Sequence, residues 1–102
     1  MNKNLKKPIL YFNGEELTEN VNGKKVTVLM STVVARAMFE VSTSAGLTPE
    51  EKYQAFKISQ RIAAKPDSVE LESADIVLIR KVITPSFSAG VYGQIVDLLE
   101  GK

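Results

Sequence analysis

The sequence predicts an α+β fold that is mainly helical, with an N-terminal β-hairpin followed by about four helices. Two Asn-Gly pairs, at 13–14 and 22–23, stand near β-branched and aromatic residues, which is the pattern of hairpin turns. From residue 30 onward, apolar residues recur at steps of three and four, which is typical of amphipathic helices. The length of 102 residues and the hydrophobic content of 44% fit a single domain over 1–102 with one modest core.

The N-terminal quarter of the chain is predicted to contain the β-structure. Residues 1–8 are polar and basic and end at Pro8, so we expect them to form a flexible arm. Two strands, at about 9–12 and 24–28, are expected to pair as a hairpin. The intervening segment 15–21 is open to two interpretations, a third short strand or a loop.

The first helix is expected at about 30–42, where apolar residues lie on one face. We expect Ser31 or Thr32 to cap its start, because hydroxyl side chains satisfy the first free N–H groups of a helix. Arg36 and Glu40 stand four residues apart on the opposite face and are expected to pair weakly. The apolar face is predicted to be Met30, Val33, Val34, Ala37, Met38 and Val41.

The second helix follows a predicted break at 42–46 and has the clearest sequence signal. Thr48 is the predicted N-cap, Pro49 occupies the first helical position, and Glu51 follows the cap by three residues. This spacing is that of a capping box with the favoured proline. The helix is expected to end before Pro66. Its apolar face is predicted to be Tyr53, Ala55, Phe56, Ile58, Ile62 and Ala63.

The third helix is predicted over 74–84, starting at Ser73 or Glu72 and ending before Pro85. Alternating residues at 69–72 allow a very short strand in front of it. Apolar side chains surround most of this helix, which is typical of a buried one. Its solvent side is predicted to be marked by Asp75, Arg80 and Lys81.

The last helix is expected over 86–100, and Gly90 and Gly93 within it admit two interpretations. In the one we favour, Ser86 caps the helix and the small glycines let a neighbouring helix, such as 74–84, approach closely. In the other, the pair is the GxxG loop of KH domains, which clamps a nucleic-acid backbone. The two residues between the glycines are apolar and aromatic, whereas a loop that faces phosphates favours Lys or Arg.

The composition restricts the chemistry that the chain can perform. Cys and His are both absent, which removes thiolate nucleophiles, the common zinc and haem ligands, and the usual base near neutral pH. No phosphate-binding glycine loop and no serine-nucleophile motif is present. We therefore expect no catalytic residue, no cofactor and no metal site, and predict that the protein is not an enzyme. The enzymatic alternative, a carboxylate-dependent hydrolase, needs a pocket that holds two acids.

Positive charge is concentrated towards the N-terminus. Residues 1–65 carry ten Lys or Arg against six Asp or Glu, whereas 66–102 carry three against six. Lysines beside Tyr11 and Phe12 are one form of a surface for single-stranded nucleic acid. The alternative is a soluble edge, on which lysines discourage aggregation. The candidates for nucleic-acid contact are Lys3, Lys6, Lys7, Lys24 and Lys25.

Residues 69–101 contain an acidic helix start, an apolar "LI" followed by a basic pair, and a "GQ…DLLE" ending. Behind an N-terminal "NGEELT", this pattern resembles small uncharacterised proteins encoded by tailed bacteriophages and prophages. The resemblance implies a phage or prophage source and a place in the host cytoplasm, and it transfers no catalytic residue. No stretch reaches the roughly 20 apolar residues of a membrane span, and no secretory signal is present, so we expect a cytoplasmic protein with no membrane partner.

The apolar helix faces exceed what a three-helix core and a hairpin need, so dimerisation is expected to bury the surplus. We therefore predict a non-enzymatic accessory protein that self-associates, or binds an unidentified protein, through apolar helix faces. The alternative is a nucleic-acid-binding protein that uses the N-terminal lysines. The candidates for protein contact are Met30, Val34, Met38, Phe87, Val91 and Ile95.

Overall fold

The computed structural model of the protein describes residues 1–42 and 46–102. It confirms the predicted class, α+β and mainly helical, with a hairpin that precedes a largely helical body. The helices within these ranges are α1 (Met30–Glu40), α2 (Pro49–Ala64), α3 (Ser73–Ile83) and α4 (Ala89–Glu100). The strands within them are β1 (Asn2–Lys3), β2 (Thr18–Val21), β3 (Lys24–Thr27) and β4 (Val69–Glu70). The middle of the break predicted at 42–46 lies outside the described residues.

β2 and β3 form an antiparallel hairpin over 18–27. Asn22 and Gly23 form its two-residue turn with φ of 52° and 80°, a left-handed conformation that both residue types tolerate. The second Asn-Gly pair therefore closes the predicted turn, but the strand beside it is 18–21. The segment predicted at 9–12 instead meets the open end of the hairpin, where the Ile9 N–H donates to the Val28 carbonyl at 2.9 Å. A two-residue turn brings its immediate neighbours into register, so the segment 15–21 supplies the strand.

Residues 1–8 belong to the folded body, and the prediction of a flexible arm is corrected. β1 pairs with β4 in a second antiparallel sheet. The Leu5 side chain is fully buried in the core, and its N–H group donates a hydrogen bond to the Pro66 carbonyl at 2.8 Å. Burial of an apolar side chain and backbone hydrogen bonds therefore order this segment, although its polar composition predicted flexibility.

The same segment satisfies the first N–H groups of α1. The N–H of Met30 donates to the Lys7 carbonyl at 2.9 Å, and the N–H of Ser31 donates to the Leu5 carbonyl at 2.8 Å. No side chain within 1–42 and 46–102 caps this helix, so the caps predicted at Ser31 or Thr32 are wrong. The reason is tertiary, since carbonyl groups from a distant segment already occupy the positions of a cap.

The predicted capping box at the start of α2 is confirmed. The N–H of Glu51 donates to the Thr48 hydroxyl at 3.1 Å, and the N–H of Thr48 donates to the Glu51 carboxylate at 3.0 Å. The hydrogen bond from the Thr48 backbone, followed by that from Lys81, lowers the pKa of Glu51. Both partners of the box lie within four residues, so the local sequence suffices to form it.

α3 exposes the basic pair predicted to mark its solvent side, but it buries the acidic residue predicted there and exposes an apolar one. Asp75 is buried, whereas Val77 is 68% exposed. Arg61 of α2 donates to both oxygens of Asp75 at 3.1 and 3.3 Å, and the Gln54 amide donates at 3.0 Å. The N–H of Glu72 adds a fourth hydrogen bond at 3.0 Å. A buried carboxylate requires such partners, and this network ties α2 to the start of α3.

The glycines of α4 do not mark a close helix contact, and our favoured interpretation is wrong. A Cβ added at Gly90 or Gly93 would meet no heavy atom within 4 Å. α4 instead buries Ile95 and Leu99 in the core. The KH-type loop is excluded as well, because both glycines lie inside the regular helix. Ser88 caps α4, two residues after the predicted cap.

The hydrophobic core joins the N-terminal segment to α1, α2, α3 and α4. The segment before Pro8 and the helical body bury apolar side chains against each other. This shared core makes them one folded unit. Its largest fully buried side chains include Leu5, Ile9, Val34, Met38, Ile58, Ile62, Leu71, Ile79, Ile83, Ile95 and Leu99.

Candidate interaction surfaces

Most of the predicted protein-contact residues lie inside the core rather than on a surface. The side chains buried in this way are Met30, Val34, Met38 and Ile95. Phe87 and Val91 are half-buried and pack against the same core. The apolar stripes of α1 and α4 therefore pack inside the protein's own core. The prediction that these stripes contact a partner is wrong. A partner must contact other residues.

Three aromatic rings on the outer side of α1 and α2 form a contiguous exposed surface, which we call the aromatic patch. Its members are Phe39 of α1 and Tyr53 and Phe56 of α2, which are 67%, 61% and 38% exposed. The ring centroids of Phe39 and Phe56 are 6.4 Å apart, and those of Tyr53 and Phe56 are 6.3 Å apart. These distances suit tilted aromatic pairs. The Lys57 ammonium lies 5.6 Å from the Tyr53 ring centroid, within reach of a cation–π contact.

Helical periodicity explains how the aromatic patch arises. Ala55, Ile58 and Ile62 face the core at steps of three and four. Tyr53 and Phe56 fall on the neighbouring, exposed side of α2, so only part of the predicted apolar face is buried. The sequence contained enough apolar residues on α2 for two faces, and only packing against α1 decided which one is covered.

Charges of both signs adjoin the aromatic patch, since Glu40 follows Phe39 on α1 and Lys57 follows Phe56 on α2. Arg36 and Glu40 of α1 and Lys57 of α2 have no ion pair among the residues that the structure describes. The predicted pairing of Arg36 with Glu40 is therefore absent from this set. These charges remain available to an outside partner.

The five predicted nucleic-acid lysines lie on two segments of the chain. Lys6 and Lys7 are exposed on the N-terminal segment, beside the start of α1, and Lys3 is half-buried on β1. Lys24 and Lys25 are exposed next to the turn of the β2–β3 hairpin. About four extended residues, roughly 13 Å, separate that turn from the segment beside Lys7. The convergence of the two groups on one nucleic-acid surface therefore stays a prediction.

A second aromatic pair lies at the exposed turn 11–14. The ring centroids of Tyr11 and Phe12 are 4.8 Å apart, and Phe12 is 88% exposed. The N–H of Gly14 donates to the Tyr11 carbonyl at 2.9 Å, which closes the turn. This pair is smaller than the aromatic patch and lies on the N-terminal loop.

Two grooves border α1. The first, of about 480 Å³, lies between α1 and the α3–α4 connection and includes Glu40 and Phe87. The second, of about 440 Å³, lies between the start of α1 and the end of α2, and we call it the basic groove. Neither groove holds two carboxylates in the described part of the chain, which the hydrolase alternative requires. The basic groove is lined by residues that include Lys6, Ser31, Thr32, Arg36, Ile62 and Pro66.

Known proteins and known kinds of site give no indication of a family for the chain. Within 1–42 and 46–102, no group of three or more His, Cys, Asp or Glu side chains is placed to hold a metal ion. None of the helices in these ranges combines the length and the apolar character required to cross a bilayer. No protein-family model, curated protein or solved structure matches the chain. The resemblance to phage-encoded proteins therefore stays a prediction.

Proposed function

We propose that this protein is a non-enzymatic interaction protein that self-associates as a dimer through the aromatic patch. The observation that carries the proposal is the contact among Phe39, Tyr53 and Phe56 on a solvent-facing surface. Each aromatic side chain can bury about 150–250 Å² in an interface. Removing apolar area from water contributes roughly 25 cal/mol per Å², so covering this patch is favourable.

The charges around the patch support a second copy as the partner. A two-fold contact brings the same surface of each copy together, so every charge must meet an opposite charge on that same surface. The rim of the patch provides both signs, with Glu40 on α1 and Lys57 on α2. A rim of one sign would repel itself. Origin in a phage or prophage and a cytoplasmic location are part of the proposal, and they rest on the sequence alone.

Sedimentation equilibrium over a range of concentrations tests the dimer. We expect wild-type protein to dimerise, and Phe39→Ser or Tyr53→Ser to raise the dissociation constant at least about tenfold, because each removes a central apolar contact. Val77→Ser is the matched control, since Val77 is equally exposed but lies on α3. A monomeric wild type, or equal weakening by Val77→Ser, would refute the proposal. Circular dichroism confirms that each variant is folded.

The alternative function is nucleic-acid binding. The lysines of the N-terminal segment and the hairpin, which have no ion pair among the described residues, support it. Fluorescence anisotropy with a labelled single-stranded oligonucleotide at low and high salt separates the two functions. The dimer proposal predicts no saturable binding at low salt. Binding that weakens steeply with salt, and that is lost in Lys6→Gln/Lys7→Gln, would place nucleic-acid binding first.

A further inference from the structure

The basic groove lies at the end of the α1–α2 pair that is opposite to the aromatic patch. Ser31 and Thr32 lie in the first turn of α1, whereas Phe39 lies near its C-terminal end. α1 has eleven residues and is therefore about 16 Å long. A ligand in the basic groove and a protein partner on the aromatic patch would contact different surfaces.

Two cations line the basic groove without a counter-charge. Lys6 of the N-terminal segment and Arg36 of α1 have no ion pair among the described residues. The lining residues within 1–42 and 46–102 include no carboxylate. Arg36 follows Thr32 by four residues, and the side chains of a helix lean towards its N-terminus. The Arg36 side chain therefore lines the groove together with Ser31 and Thr32 of the first turn of α1. An anion between the two cations would relieve their repulsion.

The hydroxyl group of Ser31, which opens into the groove, provides the second, independent observation. Ser31 lines the groove and is only 6% exposed. Its hydroxyl has no hydrogen-bond partner in the described part of the chain, although its backbone N–H donates to Leu5. No fully buried side-chain oxygen or nitrogen within 1–42 and 46–102 lacks a hydrogen-bond partner, so the Ser31 hydroxyl is open to the groove and not sealed in the core. A ligand oxygen in the groove would supply that partner.

The first turn of α1 adds a favourable field for an anion. It contains no acidic residue, and no side chain from the described part of the chain caps it. The N-terminus of a helix carries a partial positive charge, which favours anionic groups. The N–H groups of Met30 and Ser31 are already bound to carbonyls, so the side chains must hold the ligand.

We propose that the basic groove binds a small organic phosphate, an anionic head joined to an apolar body. Lys6 and Arg36 hold the phosphate, with the Arg36 guanidinium able to bind two oxygens at once, and the Ser31 hydroxyl donates to a third. The half-buried apolar residues of the lining, Leu29, Ala35 and Pro66, contact the apolar body. The volume of about 440 Å³ suits a small molecule rather than a bare ion.

Titrations of the full chain at low ionic strength, followed by ¹⁵N NMR, test this site. The probes are phenyl phosphate, inorganic phosphate and phenol, which represent the whole ligand, the head and the body. We expect phenyl phosphate to shift the amides of Ser31 and Thr32 saturably and to bind more tightly than inorganic phosphate. Phenol is expected to leave these amides unchanged. The absence of a saturable shift with phenyl phosphate would overturn the proposal.

Matched variants separate a specific site from general charge. Lys6→Gln/Arg36→Gln is expected to raise the dissociation constant of phenyl phosphate at least about tenfold, because it removes two charge-assisted contacts. Lys24→Gln/Lys25→Gln removes the same charge from the hairpin and is expected to change it less than about twofold. Equal losses in the two double variants would show a non-specific effect and overturn the site.

Ser31→Ala tests the hydroxyl without altering charge. It is expected to weaken phenyl phosphate binding severalfold and to leave the melting temperature unchanged, since the hydroxyl has no partner within the described chain. Lys6 also lies beside the C-terminal end of α2, where a cation can stabilise the helix. If Lys6→Gln lowers the melting temperature but leaves the affinity for phenyl phosphate unchanged, Lys6 stabilises the end of α2 and does not bind phosphate, which would refute the proposal.

Discussion

The side-chain amide of Gln94 on α4 binds both polar groups of the Leu10 backbone. Its Oε1 accepts a hydrogen bond from the Leu10 N–H at 2.8 Å, and its Nε2 donates to the Leu10 carbonyl at 2.8 Å. The same Nε2 donates to the Gly90 carbonyl at 3.0 Å. One side chain therefore joins the N-terminal loop to the last helix, and it holds the loop next to the turn that carries Phe12.

Replacing Gln94 is expected to release this loop. Gln94→Leu keeps the size of the side chain but removes both hydrogen bonds to Leu10 and the one to Gly90, and it should lower the free energy of unfolding by about 1 kcal/mol. Amide hydrogen exchange of Leu10 should become faster. Gln60→Leu is the control, since Gln60 is an exposed glutamine on α2 with no side-chain hydrogen bond in the described residues. Unchanged exchange at Leu10 would show that Gln94 does not hold the loop.

The buried carboxylate of Asp75 makes stability depend on acid pH. Burial is the largest single influence and raises its pKa, but hydrogen bonds from Arg61, Glu72 and Gln54 together outweigh it, so the pKa is lowered from 3.8. The unfolded chain therefore takes up the proton first as pH falls. The stabilisation is fully present above about pH 4 and is lost as pH falls through the folded-state pKa.

Asp75→Asn should remove this part of the pH dependence. The amide cannot form the ion pair with Arg61, so we expect the free energy of unfolding at pH 7 to fall by about 2 kcal/mol. Urea unfolding between pH 2 and pH 7 measures both effects. Asp97→Asn, at an exposed carboxylate of α4, should leave stability nearly unchanged. A wild-type pH profile retained by Asp75→Asn would contradict the assignment.

The capping box of α2 should contribute measurably to stability. Thr48→Ala removes the hydroxyl that accepts the Glu51 N–H and should lower the free energy of unfolding by about 1 kcal/mol, whereas Thr48→Ser should retain most of it. Thr32→Ala is the matched control, because no side chain of the described residues caps α1. Thermal unfolding followed by circular dichroism compares the three variants. Equal losses at Thr48 and Thr32 would argue against the cap.

Gly93 and Gly101 should respond in opposite directions to alanine. A Cβ at Gly93 meets open space within a helix, so Gly93→Ala should raise the free energy of unfolding by up to about 1 kcal/mol. Gly101 ends α4 with φ of 76°, a conformation that alanine adopts at a cost, so Gly101→Ala should lower it. Denaturant unfolding measures both. Destabilisation by Gly93→Ala would restore the close-packing interpretation that the structure contradicts.

The sequence by itself determined the elements whose partners are near neighbours. The capping box joins Thr48 to Glu51, and the hairpin turn depends on Asn22 and Gly23 alone. Each requires residue types within about four positions, so a local pattern is sufficient to predict it. The mainly helical class followed for the same reason, since apolar periodicity is a local property.

The tertiary structure decided which of several possible surfaces are buried. Leu5 reaches the core, Asp75 is covered while Val77 is not, and Phe56 stays on the outside of α2. Periodicity shows that a helix has apolar faces, but the energy of each face depends on the segment that packs against it. The aromatic patch and the basic groove both form where segments distant in the sequence meet. A local sequence pattern does not show which distant segment will pack against a helix.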